Sequence, residues 1–300
     1  MAIQFDLSLE PQYGIAERLS PRIARLLARN PSPFTFRGTG VYVIGAGGSV
    51  AVIDPGPDLP DHIAALKNAL DGRKVSHILI THTHKDHSPA ARQLKDWSGA
   101  RTYGFGPFAG DSVAKADDAR SIGEESHDRL FVPDVRVKDG EIIAGEDFTI
   151  ACVFTPGHTA NHMCYALAEE KALFTGDHVM GWSTSVIAPP DGNMGDYLRS
   201  LEKLIARGDA ILYPTHGSPI APPAPFLRAL LTHRRMREGQ IASCLARGDD
   251  DVPAIVARLY AGLAPTLVKA AELTVLAHLE HMIEDGRVMR HDARYRLKVP

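Results

Sequence analysis

Cysteine is scarce: Cys152, Cys164 and Cys244 are the only three in 300 residues. An odd count with no paired spacing argues against a disulfide framework and for reduced, buried thiols. Long apolar runs are missing as well. No window approaches the roughly 18 uninterrupted apolar residues of a membrane-spanning helix. The amino terminus, Met1-Ala2-Ile3-Gln4-Phe5-Asp6, has no basic stretch leading into an apolar one, so no secretion signal is expected and a cytoplasmic location is the default. Charge of one sign is also lacking: a net charge of -3 carries no signal for a nucleic-acid or membrane partner. What is present is 44% apolar residues, enough for a sizeable core in one large domain or one domain with a small appendage.

The densest chemistry lies in Thr81-His82-Thr83-His84-Lys85-Asp86-His87, which follows the apolar run Ile78-Leu79-Ile80. Imidazole and carboxylate together suit zinc or a similar first-row cation, and crowding four such groups at one strand end is costly unless a metal binds them. Residues two apart on a helix diverge, whereas His82 and His84 on an extended segment can converge. Asp86 and His87 are then free to turn toward a second ion, and Lys85 is expected to point away.

The surrounding pattern repeats this arrangement. Residues 40–53 read as a hairpin about Gly45-Ala46-Gly47-Gly48, ending in Asp54-Pro55-Gly56-Pro57, where Asp54 either caps the turn or orients a ligand. Segment 61–71 reads as a helix closed by Gly72, 75–80 as a buried strand, and 89–97 as another helix. Strands at 148–154, 172–175 and 210–213 deliver His158, Asp177 and His216 in turn. A single histidine is usually structural, but here ligand-type residues fall at four successive strand ends. The set of five imidazoles (His82, His84, His87, His158, His216) and two carboxylates (Asp86, Asp177) is what two adjacent ions need if one carboxylate bridges them.

The ordered set His82-x-His84-x-Asp86-His87, then His158, Asp177 and His216, with Asp54 as an early acid, resembles the signature of the metallo-β-lactamase superfamily. The resemblance spans roughly residues 20–220. It implies an α/β (α+β) architecture, an αββα sandwich of two mixed sheets with helices on both outer faces. It further implies two zinc ions per chain, or another divalent first-row metal: one held by His82, His84 and His158, the second by Asp86, His87 and His216, with Asp177 bridging. The catalytic residues implied are Asp86, which would hold the second metal and orient a water ionised by the metals, and Asp177, which would bridge them. No cysteine takes a ligand position, which looks more like the glyoxalase II, lactonase and ribonuclease branches than the founding lactamases. Two zincs less two carboxylates and a hydroxide leave a net charge of about +1, which favours an anionic ester, thioester or phosphodiester.

Other segments bear on selectivity. Residues 21–28 read as a short helix, and the turn-rich 30–34 brings Phe34 toward the site. Segment 111–129 is polar and reads equally as a helix or as a loop over the site. Trp182, Met194 and Tyr197 either line a substrate groove or serve ordinary loop packing, with a helix over 197–206. His62, His77, His127, His162 and His178 are expected at the surface or in packing, with support of the neighbouring ligand segments as the alternative for His162 and His178.

The chain divides into a catalytic domain (1–218), a Pro-rich linker (219–225) and a small C-terminal domain (226–300). Helices at 226–246, 252–260 and 271–284 precede a hairpin at 287–290 and 294–299. This order resembles the winged-helix domain of β-lactamase-like proteins related to a mitochondrial endoribonuclease. Residues 226–300 hold 12 Lys and Arg against 9 Asp and Glu, and the third helix carries Glu272, Glu280 and Glu284. Duplex DNA recognition is therefore disfavoured against a structural or substrate-pocket role, with the segment His233 to Arg237 a candidate to reach the substrate's anionic end.

Two classes of function follow. One is a dinuclear zinc hydrolase of a small anionic ester or thioester, with single-strand-specific cleavage of RNA as the alternative substrate. The other is a winged-helix nucleic-acid-binding protein whose metal centre is structural. A structural centre is closed, whereas seven ligands for two ions leave room for water, which favours the enzyme. Oligomeric association is left open.

Overall fold

The computed structural model describes residues 3–109 and 126–298. Strands β1 (Ala16–Arg18), β2 (Ile23–Leu27), β3 (Gly40–Ile44), β4 (Ser49–Ile53), β5 (Lys74–Leu79), β6 (Arg101–Gly104) and β7 (Val135–Arg136) form one sheet in sequential order. It changes from antiparallel to parallel pairing at β4–β5, because helix α1 (Pro60–Leu70) carries the chain back between them. Helix α2 (Ala90–Ser98) makes the next crossover. Strands β8 (Ile142–Ala144), β9 (Thr149–Phe154), β10 (Met163–Leu167), β11 (Ala172–Gly176) and β12 (Ile211–Pro214) form the second sheet, with α3 (Met194–Arg207) crossing between β11 and β12.

Alternation along the strands builds the layers. Tyr42 and Ile44 face inward onto Phe148, Ile150, Tyr165 and Phe174 of the other sheet. Their neighbours Val41 and Val43 face outward onto Leu66 and Leu70 of α1 and Leu94 of α2. On the far side, Val153, Cys164 and Leu173 pack beneath Leu201 and Leu204 of α3. The result is the αββα sandwich. The three cysteines are all buried and unpaired.

Helices α4 (Pro223–Ala246), α5 (Val252–Leu259) and α6 (Pro265–Glu284) with the hairpin β13 (Val288–His291) and β14 (Arg294–Leu297) make the winged-helix domain. Helix α4 serves two cores: Leu227 and Leu230 complete the outer layer of the sandwich, while Ile241, Cys244 and Leu245 join the C-terminal core. The Pro-rich stretch 219–225 is only partly a linker, since Ile220 pairs with Leu212 and the first turn of α4 begins at Pro223.

Segment 21–28 is not a helix. Ile23–Leu27 is strand β2, hydrogen-bonded between β1 and β3. Its Ile-Ala-Arg-Leu-Leu composition has good helix propensity, but ladder bonds on both sides and burial of Ile23 and Leu26 in two different cores outweigh a preference of a few tenths of a kcal/mol per residue. The readings of 111–129 fall largely on residues 110–125, which lie outside the described residues.

Candidate metal centre

Parallel pairing brings the strand ends together. Ile53 stands opposite Leu79, so Asp54 and Thr81 emerge side by side; Gly176 stands opposite Pro214, so Asp177 and His216 do the same. The sheets are tied at this edge by Gly40 N–H donating to Thr215 O (2.8 Å), Met163 N–H to Thr81 O (2.8 Å), and the Tyr42 and Tyr165 hydroxyls donating to Pro214 O and Ile80 O. Gly157 has to be glycine for His158 to arrive: its φ is +138°, and a Cβ would lie 2.3 Å from Tyr197 Cα.

All seven expected ligand residues converge and are buried. Three overlapping groups can each hold an ion, with ligand atoms inside 4.8 Å of one another: His82, His84 and His158; His82, His87 and Asp177; Asp86, His87 and His216. His84 Nδ1 lies 3.0 Å from His82 Nε2 and 3.2 Å from His158 Nε2. His216 Nε2 stands 3.1 Å from Asp86 Oδ2 and 3.4 Å from Asp177 Oδ2.

Hydrogen bonds behind the rings fix which nitrogen faces inward. His158 Nδ1–H donates to Val186 O (2.7 Å) and His216 Nδ1–H to Gly38 O (3.1 Å), which turns each Nε2 into the cluster. Asp54 does the same for two more rings. It accepts from Thr81 N (2.8 Å), Thr81 Oγ1 (2.7 Å) and His87 Nδ1 (2.9 Å), and Thr81 Oγ1 in turn lies 3.0 Å from His82 Nδ1. Asp54 is fully buried with φ at +47°, so it orients the histidines rather than capping an exposed turn. Thr39 Oγ1 donates to Asp86 Oδ2 (3.0 Å).

The electrostatics divide the cluster in two. Burial, reinforced by neighbouring imidazoles, holds His82 and His84 well below the ordinary histidine value, so they are neutral donors of lone pairs. Burial would push the Asp86 and Asp177 carboxyls up, but the His87 and His216 rings outweigh it and hold both low. The same carboxylates overcome burial at His87, which is raised well above the ordinary value, and at His216, which is raised to about 10. Protons on these two rings occupy the place that cationic charge would take. His87 Nε2 and Asp177 Oδ1 are buried without a hydrogen-bond partner. Five nitrogens, two carboxylates and orphaned inward atoms form a donor set that fits divalent metal.

Other expectations are revised. Phe36, which the sequence did not single out, stacks on Trp182 at 5.0 Å, and its φ of +57° turns the loop. Tyr197 does not line a groove: it and Met194 are buried in the outer core, Tyr197 against His178 and Arg234, since α3 starts earlier than residue 197 and aims that face at the sheet. Lys85 is exposed, as expected. His233 reaches a cleft beside residues 183–186. His162 and His178 are fully buried behind the cluster. His127 pairs its backbone with His84, stacks on Phe108 at 3.7 Å and stands 3.7 Å from Asp191. Neither His127 nor Asp191 carried a local signal, because only the fold brings them to the rim.

The chain matches the metallo-beta-lactamase superfamily over residues 35–216, more than half its length. It belongs to that superfamily. Residues 252–296 match the beta-lactamase associated winged helix domain. Among curated relatives, the lactamase-like protein nscB of Neosartorya fischeri is 36% identical over 239 residues, 79% of this chain and 66% of that protein. The atrochrysone carboxyl ACP thioesterase of Aspergillus terreus is 31% identical over 239 residues, 79% of this chain and 67% of that protein. The chain thus spans about two thirds of the length of the curated relatives it matches. A beta-lactamase domain protein from Burkholderia ambifaria shares the fold across both domains, with a TM-score of 0.80 at 21% identity over 99% of this chain and 97% of that one. Relatives of this chain at 31% identity are named thioesterases, a class of hydrolase. Among the described residues no helix is long and apolar enough to cross a membrane.

Proposed function

We propose that the protein is a dinuclear, zinc-loaded thioesterase acting on a small anionic acyl group or a carrier-bound acyl chain. The observation that carries this is the convergence of seven buried donors into three overlapping groups, in which the group His82, His87 and Asp177 shares His82 with one neighbouring group and His87 with the other. His82, His84 and His158 would hold one ion, Asp86, His87 and His216 the other, and Asp177 both. Thioester is preferred among acyl substrates because relatives at 31% identity are named thioesterases of an acyl carrier protein.

A bound metal pair supplies Lewis acidity toward the carbonyl and lowers the pKa of a water molecule toward neutrality. The protein's own groups do the rest. Asp54 and Thr81 hold the His82 and His87 rings in one tautomer, and Val186 O and Gly38 O do so for His158 and His216. Asp86 and Asp177 stay ionised at working pH because His87 and His216 face them. Asp177 Oδ1, free of other partners, is placed to accept a hydrogen bond from the attacking water and to align it. The Phe36–Trp182 stack borders the loop that carries Gly38 and so screens this edge.

The test is a screen of zinc-loaded protein against thioesters, a lactone, a cephalosporin and single-stranded RNA, with metal content measured alongside. Thioester hydrolysis that disappears in His84→Ala and after chelation is expected. Turnover of RNA alone would overturn the substrate assignment, and unchanged zinc content and turnover in His84→Ala would overturn the metal assignment.

A further inference from the structure

A cleft of about 740 Å³ separates residues 183–186 from helices α4 and α6 and is closed at one side by Ile3 and Phe5. Its charged lining is cationic: Arg234 and Arg237 lie on one face of α4 beside His233, which burial and the two arginines push down to about 4 and so keep neutral, and among the described residues no Asp or Glu contributes. Arg234 is only 3% exposed. Its guanidinium lies 5.1 Å from the Tyr197 ring, its Nη2 donates to Ser185 O, and its Nε has no partner. Arg237 lies 4.4 Å over Tyr260, and its buried Nε is likewise unpartnered. Glu238, the nearest acid in sequence, is turned away and engaged by His278, His281 and Arg287. Two guanidiniums held beside an apolar wall without a carboxylate have a large unmet demand for an anion. Leu263, Leu267 and Ala270 make an apolar stretch of the wall.

The cleft and the metal centre share one strip of backbone. Val186 O accepts from His158 Nδ1 (2.7 Å), and Ser185 Oγ donates to Asp177 O (2.6 Å), while Ser185 and Val186 also line the cleft. One wall of the cleft is thus built from the same residues that hold His158 and the Asp177 backbone in place.

We propose that this cleft is the subsite for the non-reacting end of the substrate, an apolar chain terminating in a carboxylate or phosphate clamped by Arg234 and Arg237. The assignment rests on the thioesterase reading. The anion is either a carboxylate at the far end of the acyl group or the phosphate of a phosphopantetheine arm. Helix α4, and through it the C-terminal domain, then selects the substrate.

Three thioesters of one chain length distinguish these sources: an uncharged acyl N-acetylcysteamine, the same compound with a terminal carboxylate on the acyl chain, and the uncharged acyl group on phosphopantetheine. Each is assayed with wild type, Arg237→Gln and Arg237→Lys, and binding of octanedioate and free phosphopantetheine is followed by calorimetry. In Arg237→Gln, kcat/KM for one anionic substrate should fall about 10- to 100-fold, mainly through KM, while the uncharged substrate is unaffected. Arg237→Lys should recover part of the loss, and the matching free anion should bind wild type and not Arg237→Gln. Loss confined to the carboxylate or to the phosphate identifies the source. Equal changes on all three substrates, or no change on any, would overturn the subsite while leaving the thioesterase intact. Wild type inert toward every thioester would instead overturn the thioesterase reading, and the subsite with it.

Discussion

Asp54 shows how one residue outside the metal-facing set controls it. Its two oxygens accept four hydrogen bonds, and two of these set the orientation of His87 directly and of His82 through Thr81. Asp54→Asn keeps the shape but replaces an acceptor by an amide donor at one position. Metal affinity should fall about 10- to 100-fold in competition with a chromophoric chelator, without loss of the folded state. A second outcome follows from the protons on His87 and His216. Because both rings are raised above neutrality in the metal-free protein, metal loading at neutral pH should release protons, and affinity should weaken as pH falls. Calorimetry in buffers of differing ionisation enthalpy measures this. The stability of the metal-free chain carries the opposite sign to the usual carboxylate case. A histidine raised from 6.5 to about 10 contributes stabilisation that is complete below the lower value and lost as pH rises through the higher one. Chelated protein should therefore melt at progressively lower temperature across that interval.

At the level of elements, legibility followed how local the cause was. The hairpin β3–β4, helix α1, and strands β5, β9, β11 and β12 declared themselves through period and turn chemistry, and the histidines and acids at their ends came with them. Strand β2 did not, since its pairing with β1 and β3 comes from elsewhere in the chain. Backbone acceptors such as Val186 O and Gly38 O were invisible because every residue type carries a carbonyl. Phe36 was hidden by a loop residue of positive φ. In the C-terminal domain, buried Glu238 of α4 joins His278 and His281 of α6 and Arg287 before β13. Burial would raise its carboxyl, but these partners hold it well below the ordinary value of 4.5. Its contribution is thus complete above that value and declines as pH falls below it. Glu238→Gln should cost roughly 2 kcal/mol at neutral pH in denaturant unfolding, with the gap to wild type narrowing in acid.

Helix α4 makes the whole molecule cooperative. Leu227 and Leu230 at one end and Ile241 and Leu245 at the other belong to different cores on one continuous helix of 24 residues. Calorimetry should therefore record one unfolding transition for both domains. Removal of residues from 223 onward would strip the cover from Leu201 and Leu173, and that truncated protein should aggregate on expression rather than persist as a stable sandwich.

The fate of the three buried thiols bears on the chemistry in a different way. A thioesterase works amid reactive acyl groups and liberates a free thiol at each turnover, so an accessible thiolate on the enzyme would accept acyl groups by exchange or be captured in mixed disulfides. Burial raises Cys152 and Cys164 to about 12 and also raises Cys244, which leaves almost no thiolate on any of them at neutral pH. An aromatic disulfide reagent should find no reactive thiol in the native protein and three after denaturation. Under the proposed thioesterase function the chain is in this respect chemically silent toward substrate and product, and turnover in thiol-rich surroundings should leave it unmodified.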